Sequence, residues 1–163
     1  MVQNLGIVVP TNRYDCGENL KVAYVAEGAI TPGQLVKKGT ADNQVLVATP
    51  GDKGILGVAD LNRNAISRNL TPLTAFAAGE ILEVIVSGFV SVLADTAGIT
   101  GGSKVMVGAA NNGRVENYLD TAVAGAFGQA NLEAIKDELG LVIGRAFTTA
   151  AAGARAVIYL GHC

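Results

Sequence analysis

The longest apolar run in the chain is Gly79 to Leu93, GEILEVIVSGFVSVL. Its even positions Leu82, Val84, Val86, Val90 and Val92 are apolar, interrupted by Gly88. Its odd positions mix Ile81, Ile85 and Phe89 with Glu83, Ser87 and Ser91. A period of two sends successive side chains to opposite sides of a strand, so the run predicts a β-strand with one buried face and one mixed face. Glycine in the middle of such a run predicts a bulge or bend at Gly88.

Shorter alternating runs surround it. Leu20–Ala26 sets Leu20, Val22, Tyr24 and Ala26 on one side. Thr31-Pro32-Gly33 places proline and glycine where a tight turn needs them, and a strand starts at Gln34. Gln44–Ala48 and Ile55–Ala59 read as two more strands, separated by the turn Pro50–Gly54. Asp60–Ala78 is a long polar connection, of a length that compact domains usually reserve for function or disorder.

The same order then returns. Gly98–Val105 (GITGGSKV) aligns with Ala29–Val36 (AITPGQLV), setting Thr100 on Thr31 and Gly102 on Gly33. Asn111-Asn112-Gly113 is a hairpin signal between strands at Val105–Ala109 and Arg114–Leu119. Leu141–Ala146 aligns with Ile55–Ala59, Gly144 over Gly57 and Ala146 over Ala59. Ala151–Leu160 aligns with Ala77–Val86, Gly153 over Gly79. The chain therefore predicts a mainly β fold of two degenerate β units, about 28–93 and 98–161, within one β domain at 20–163.

Two segments stand outside that pattern. Residues 1–19 read as an N-terminal arm, with Val2, Leu5, Ile7, Val8 and Val9 apolar before Pro10. An apolar segment ahead of the first compact unit suits pairing with a sheet edge or a neighbouring subunit. The second unit carries an insertion at 120–140, in which Asn131–Leu139 predicts one short helix, with Asn131 as N-cap and Gly140 as the stop.

Composition narrows the class. Half of the 163 residues are apolar, 16% are charged and tryptophan is absent, so the core is aliphatic. The 21 glycines suit many tight turns. A net charge of −2 with scattered Lys and Arg argues against a nucleic-acid-binding face. No apolar stretch approaches the ~18 residues of a membrane helix, and the N-terminus lacks the features of a signal peptide, so cytoplasmic synthesis is expected. Cys16 and Cys163 are too few for a disulfide framework and are expected to be unlinked thiols, with a disulfide tying the two ends together as the alternative.

Candidate chemistry is sparse. His162 is the single histidine and, beside the terminal Cys163, matches no metal-ligand spacing. No Ser–His–Asp or Cys–His arrangement can be built around it. Gly51–Gly57 (GDKGILG) and Gly98–Lys104 (GITGGSK) lack the phosphate-loop pattern and read as turns. Asp42, Asp52, Asp60, Glu80, Glu83, Asp95, Glu116 and Asp120 are scattered over turns and strand ends, and a solvated surface is the expectation for them. The sequence thus offers no catalytic residue, metal site or cofactor, and an enzyme is not expected. A half-apolar strand face at Ile81, Ile85 and Phe89 suits a subunit interface.

The pattern AITPGQLVKK…QVLVATPGDKGILGVADLN…AAGEILEVIVSGFVSV…GITGGSKVMV…GLVIGRAFTTAAAGARAVIYL resembles the small capsid decoration, or cement, proteins of tailed bacteriophages, over roughly residues 20–161. The resemblance implies a small β-barrel or tulip-like β domain. It implies trimers on the outer capsid surface that bridge capsomers and reinforce the shell, with the major capsid protein and the chain itself as partners and no direct contact with nucleic acid or membrane. By position, Val2, Leu5, Ile7, Val8 and Val9 would touch the capsid, and Ile81, Ile85 and Phe89 would form the trimer interface. The insertion at 120–140 departs from the family pattern. The competing roles are another virion β-subunit, of tail or fibre, and a ligand-binding β-clip module.

Overall fold

A computed structural model of the chain describes residues 19–60, 75–118 and 141–161. Nine strands run through them: β1 Leu20–Ala26, β2 Leu35–Lys38, β3 Gln44–Val47, β4 Ile55–Ala59, β5 Ile81–Leu93, β6 Lys104–Val107, β7 Val115–Asn117, β8 Gly144–Ala146 and β9 Arg155–Leu160. No helix occurs among the described residues. The expected helix at Asn131–Leu139 and all of the expected arm 1–19 except Asn19 lie outside them, as do Cys16, His162 and Cys163.

The strand order is β1-β3-β2-β4-β5-β9-β8-β6-β7, and β1 also pairs with β5. That extra pairing closes β1, β3, β2, β4 and β5 into a five-stranded barrel. Beyond it, β5, β9, β8, β6 and β7 form a second ring, which returns to the end of β5 through a parallel bridge between Ala94 and Val115. Closure removes free sheet edges, which otherwise invite pairing with other chains.

β5 belongs to both rings. Its first half, from Ile81 to Ser87, pairs with β1, and Val84 and Ile85 pair with β4. Its second half, Gly88 to Leu93, pairs with β9. The exchange falls at Gly88, whose φ of 119° is one that side-chain-bearing residues rarely adopt. A Cβ there would lie 2.2 Å from the Asn19 side-chain oxygen. Gly88 is therefore the bend that lets one strand leave the first unit and enter the second.

The two units repeat in their hydrogen bonds as well as in sequence. The Gly33 N–H donates to the Ala59 carbonyl, and the Gly102 N–H to the Ala146 carbonyl, each at 2.8 Å. The Ala26 N–H donates to Glu80, and the Ala94 N–H to Ala154. Bridges Ile30–Phe76 and Ile99–Ala150 occupy matching places. By these bonds β1 answers to the second half of β5, and the first half of β5 answers to β9.

Packing follows strand parity. Leu82 and Val84 fill the first barrel with Ala26, Ile30, Val36, Val45, Ala59 and Phe76. Val90 and Val92 fill the second core with Val105, Val115, Ala156 and Ile158. Leu35, Val58 and Ile85 sit one residue out of phase with neighbours inside the first barrel, so they point outward from it, and they too join the second core. The second unit is thus packed on the outside of the first. The hairpin turn fastens this contact: the Gly113 N–H donates to Ala48 and its carbonyl accepts from the Leu35 N–H.

Candidate docking surface

Equivalent carboxylates brace a turn in each unit. Asp95 is fully buried, against the expectation of a solvated surface. It accepts the N–H groups of Ala110 and Asn111 and the Asn111 side-chain amide. Burial pushes its pKa up, but the Asn111 side chain and the backbone donors outweigh this and hold it below the ordinary aspartate range. A Cβ on Gly108 would lie 2.4 Å from its Oδ2. In the first unit Glu27 does the same work, accepting the Thr40 hydroxyl and N–H, which lower its pKa. A Cβ on Gly39 would lie 2.4 Å from its Oε2. Both carboxylates are turn braces: Asp95 is enclosed by the hairpin it holds, and Glu27 holds its turn from a partly exposed position.

Two open concavities are lined by described residues. One of about 340 Å³ lies between the Thr31–Gly33 turn, the end of β4 and Val90–Ser91, with Arg155 at its rim. Another of about 230 Å³ lies beside Leu56, Val86 and Ile143. Among the described residues no three His, Cys, Asp or Glu side chains converge on a metal-sized site.

The outer face of the second unit is more developed. Lys104, Arg145, Tyr159 and Phe89 are successive partners across β6, β8, β9 and β5. Directly opposed partners share a sheet face, so the four form one row. The Phe89 ring packs edge-on against Phe147, centroids 4.9 Å apart, and against Tyr159 at 5.1 Å. Phe147 is nonetheless 65% exposed, and Val157 beside it is also open to solvent. The result is an aromatic patch edged by cations. Phe147 escapes sequence reasoning because it stands just past a three-residue strand, with no periodic pattern to place it.

The residues expected at a trimer interface are dispersed. Ile81 is 66% exposed at the start of β5, and Phe89 is half-buried roughly 26 Å further on at ~3.3 Å per residue. Ile85 is 6% exposed and belongs to the second core. The expectation of an available Ile85 is corrected by the second unit, which covers that part of the first barrel. Val2, Leu5, Ile7, Val8 and Val9 lie outside the described residues.

Fold and surface together define a class: a double-ring β module with small concavities and a broad aromatic–basic face. The chain belongs to the structural cement protein family, described by E217 gp24 and Pam3 gp6, whose profile matches residues 2–161. It is a structural protein of the virion capsid, on its outer surface. The fold is similar to the N base of head fibre gp8.5 of bacteriophage phi29, with a TM-score of 0.53 and 12% identity, covering 88% of this chain and 95% of that one. It is equally similar to a chain from the capsid of Myoviridae phage XM1, with a TM-score of 0.53 and 15% identity, covering 98% of this chain and 93% of that one. No curated protein matches the chain by sequence.

Proposed function

We propose that the protein cements a capsid by binding the major capsid protein from outside, as homotrimers that bridge neighbouring capsomers and stabilise the head. The observation that carries this reading is the family match across residues 2–161. Residues 1–19 act as an arm and 20–163 as the β domain, with Val2, Leu5, Ile7, Val8 and Val9 seated on the shell. The apolar pattern of that arm supports its role.

The work is non-catalytic and needs no cofactor, nucleic acid or membrane. A standard interface of about 1,600 Å² spans micromolar to picomolar affinity. Trimerisation multiplies such contacts at high effective concentration. Many copies then add their stabilisation over the shell.

The test uses shells stripped of the protein and refilled with it. Refilled shells should survive heating that opens bare shells, and a version lacking Met1–Pro10 should show lower occupancy while its β domain remains folded. Equal heat resistance of bare and refilled shells contradicts cementing. Unchanged occupancy by the truncated protein contradicts the arm's role.

A further inference from the structure

The repeat makes two outer faces equivalent, and their chemistry is inverted. Because Glu80 and Ala154 receive matching hydrogen bonds, from Ala26 and Ala94 respectively, Ile81 corresponds to Arg155 and Glu83 to Val157. An apolar residue in one unit thus faces the place of a cation in the other, and an acid the place of an apolar residue. On the first unit, exposed Ile81 lies between Glu80 and Glu83, beside the small exposed Ala23 opposite Glu83. On the second, exposed Phe147 and Val157 lie beside Arg145 and Arg155.

Charge follows the same division. The described part of the first unit holds four lysines against six carboxylates, and every ion pair recorded among described residues lies there: Lys21 with Asp60 and Glu83, Lys37 with Asp52, and Lys38 with Asp42. The described part of the second unit holds Lys104, Arg114, Arg145 and Arg155 against Asp95 and Glu116, and Asp95 is buried. Lys104 and Arg145 make no ion pair with a described residue. Among the described residues, one face is a net cation around aromatics, and the other a net anion around an exposed isoleucine.

We propose that the aromatic–basic face around Phe147 and Arg145 docks on the Ile81–Glu83 face of a second copy of this chain. The contact is heterologous, joining different surfaces of the two copies, so an open assembly keeps one unused face of each kind, at its two ends, until a ring closes. Apolar contact at the centre and opposite charges at the rim give such a contact affinity and orientation. The inference rests on the reading that copies associate, and it is independent of what the shell contributes.

The experiment is light scattering of the purified full chain and two single variants, Phe147→Asp and Ile81→Asp. Both sites are exposed, so thermal unfolding should stay within a few degrees of the parent. The parent should show a multiple of the single-chain mass, falling toward that mass as salt is raised. Each variant alone should show the single-chain mass. Mixed in equal amounts the variants should form a dimer, because each supplies the face the other lacks. Should either substitution disturb unfolding, Arg145→Glu and Glu83→Ala replace them in the same design. A single-chain mass for the parent, an unchanged mass for either variant, or failure of the mixture to dimerise overturns the proposal. Loss of shell binding by Phe147→Asp at unchanged mass overturns it too, and assigns the face to the capsid.

Discussion

Gly57 and Gly144 occupy the same place in the two units, each under a carbonyl of the neighbouring strand. A Cβ on Gly57 would lie 2.1 Å from the Ile85 carbonyl oxygen, and one on Gly144 would lie 2.0 Å from that of Tyr159. Neither obstacle is a flexible side-chain tip; both are backbone.

Gly57→Ala and Gly144→Ala should therefore each destabilise the fold by at least about 2 kcal/mol, because the paired strands must separate to admit a methyl group. Urea unfolding of the two variants measures this. A loss below about 0.5 kcal/mol at both would show that the strands are not held this close.

Asp95 is one of four described carboxylates, with Glu27, Asp42 and Asp52, whose lowered pKa ties stability to pH, and it is the buried one. Its folded pKa lies below the unfolded value, so its stabilisation is full above the unfolded range near ~3.9 and disappears as pH falls through the folded pKa. Asp95→Asn, with one acceptor oxygen for several donors, should be less stable at neutral pH by about 2 kcal/mol and lose less on acidification. Denaturant midpoints of both proteins between neutral and strongly acidic pH should converge downward, and parallel curves would contradict the assignment.

The two β5 residues Ile85 and Phe89 should respond differently to truncation. Ile85→Ala removes a side chain from the second core and should cost about 2–4 kcal/mol of folding stability. Phe89→Ala acts on a half-buried surface cluster and should cost less than half as much. Equal losses would mean that the second unit does not cover Ile85.

The turn at Gly113 should couple the units. Its φ is 72°, and a Cβ would lie 2.8 Å from the Gln34 Cβ and 2.9 Å from a Val47 methyl. Gly113→Val should lower the midpoint of unfolding, with hydrogen exchange quickening at Leu35 and at residue 113 itself, whose N–H groups bond across the junction. Exchange quickening confined to β6 and β7 would contradict this coupling.

Local rules carried much of this fold. The period-two run of β5, the bend at Gly88 and the paired Thr-X-Gly turns depend on residues near one another, and each appears where the pattern puts it. Ile85 shows where such rules stop. Parity sends its side chain out of the first barrel, but the unit that covers it begins later in the chain. Asp95 is similar: its donors Ala110 and Asn111 lie 15 and 16 residues onward, beyond any local pattern. The repeat held a usable signal, because Glu27 and Asp95 both follow an alternating run ending in alanine. The aromatic face was half legible through Phe89, whereas Phe147 and Tyr159 join it through pairing across strands.

Cryo-electron microscopy of emptied shells incubated with the purified protein is the sharpest check on the proposed cementing from outside. Added density should appear on the outer surface at positions where capsomers meet, fitting the double-ring β module. Shells that remain bare, or density confined to the inner surface, would contradict it.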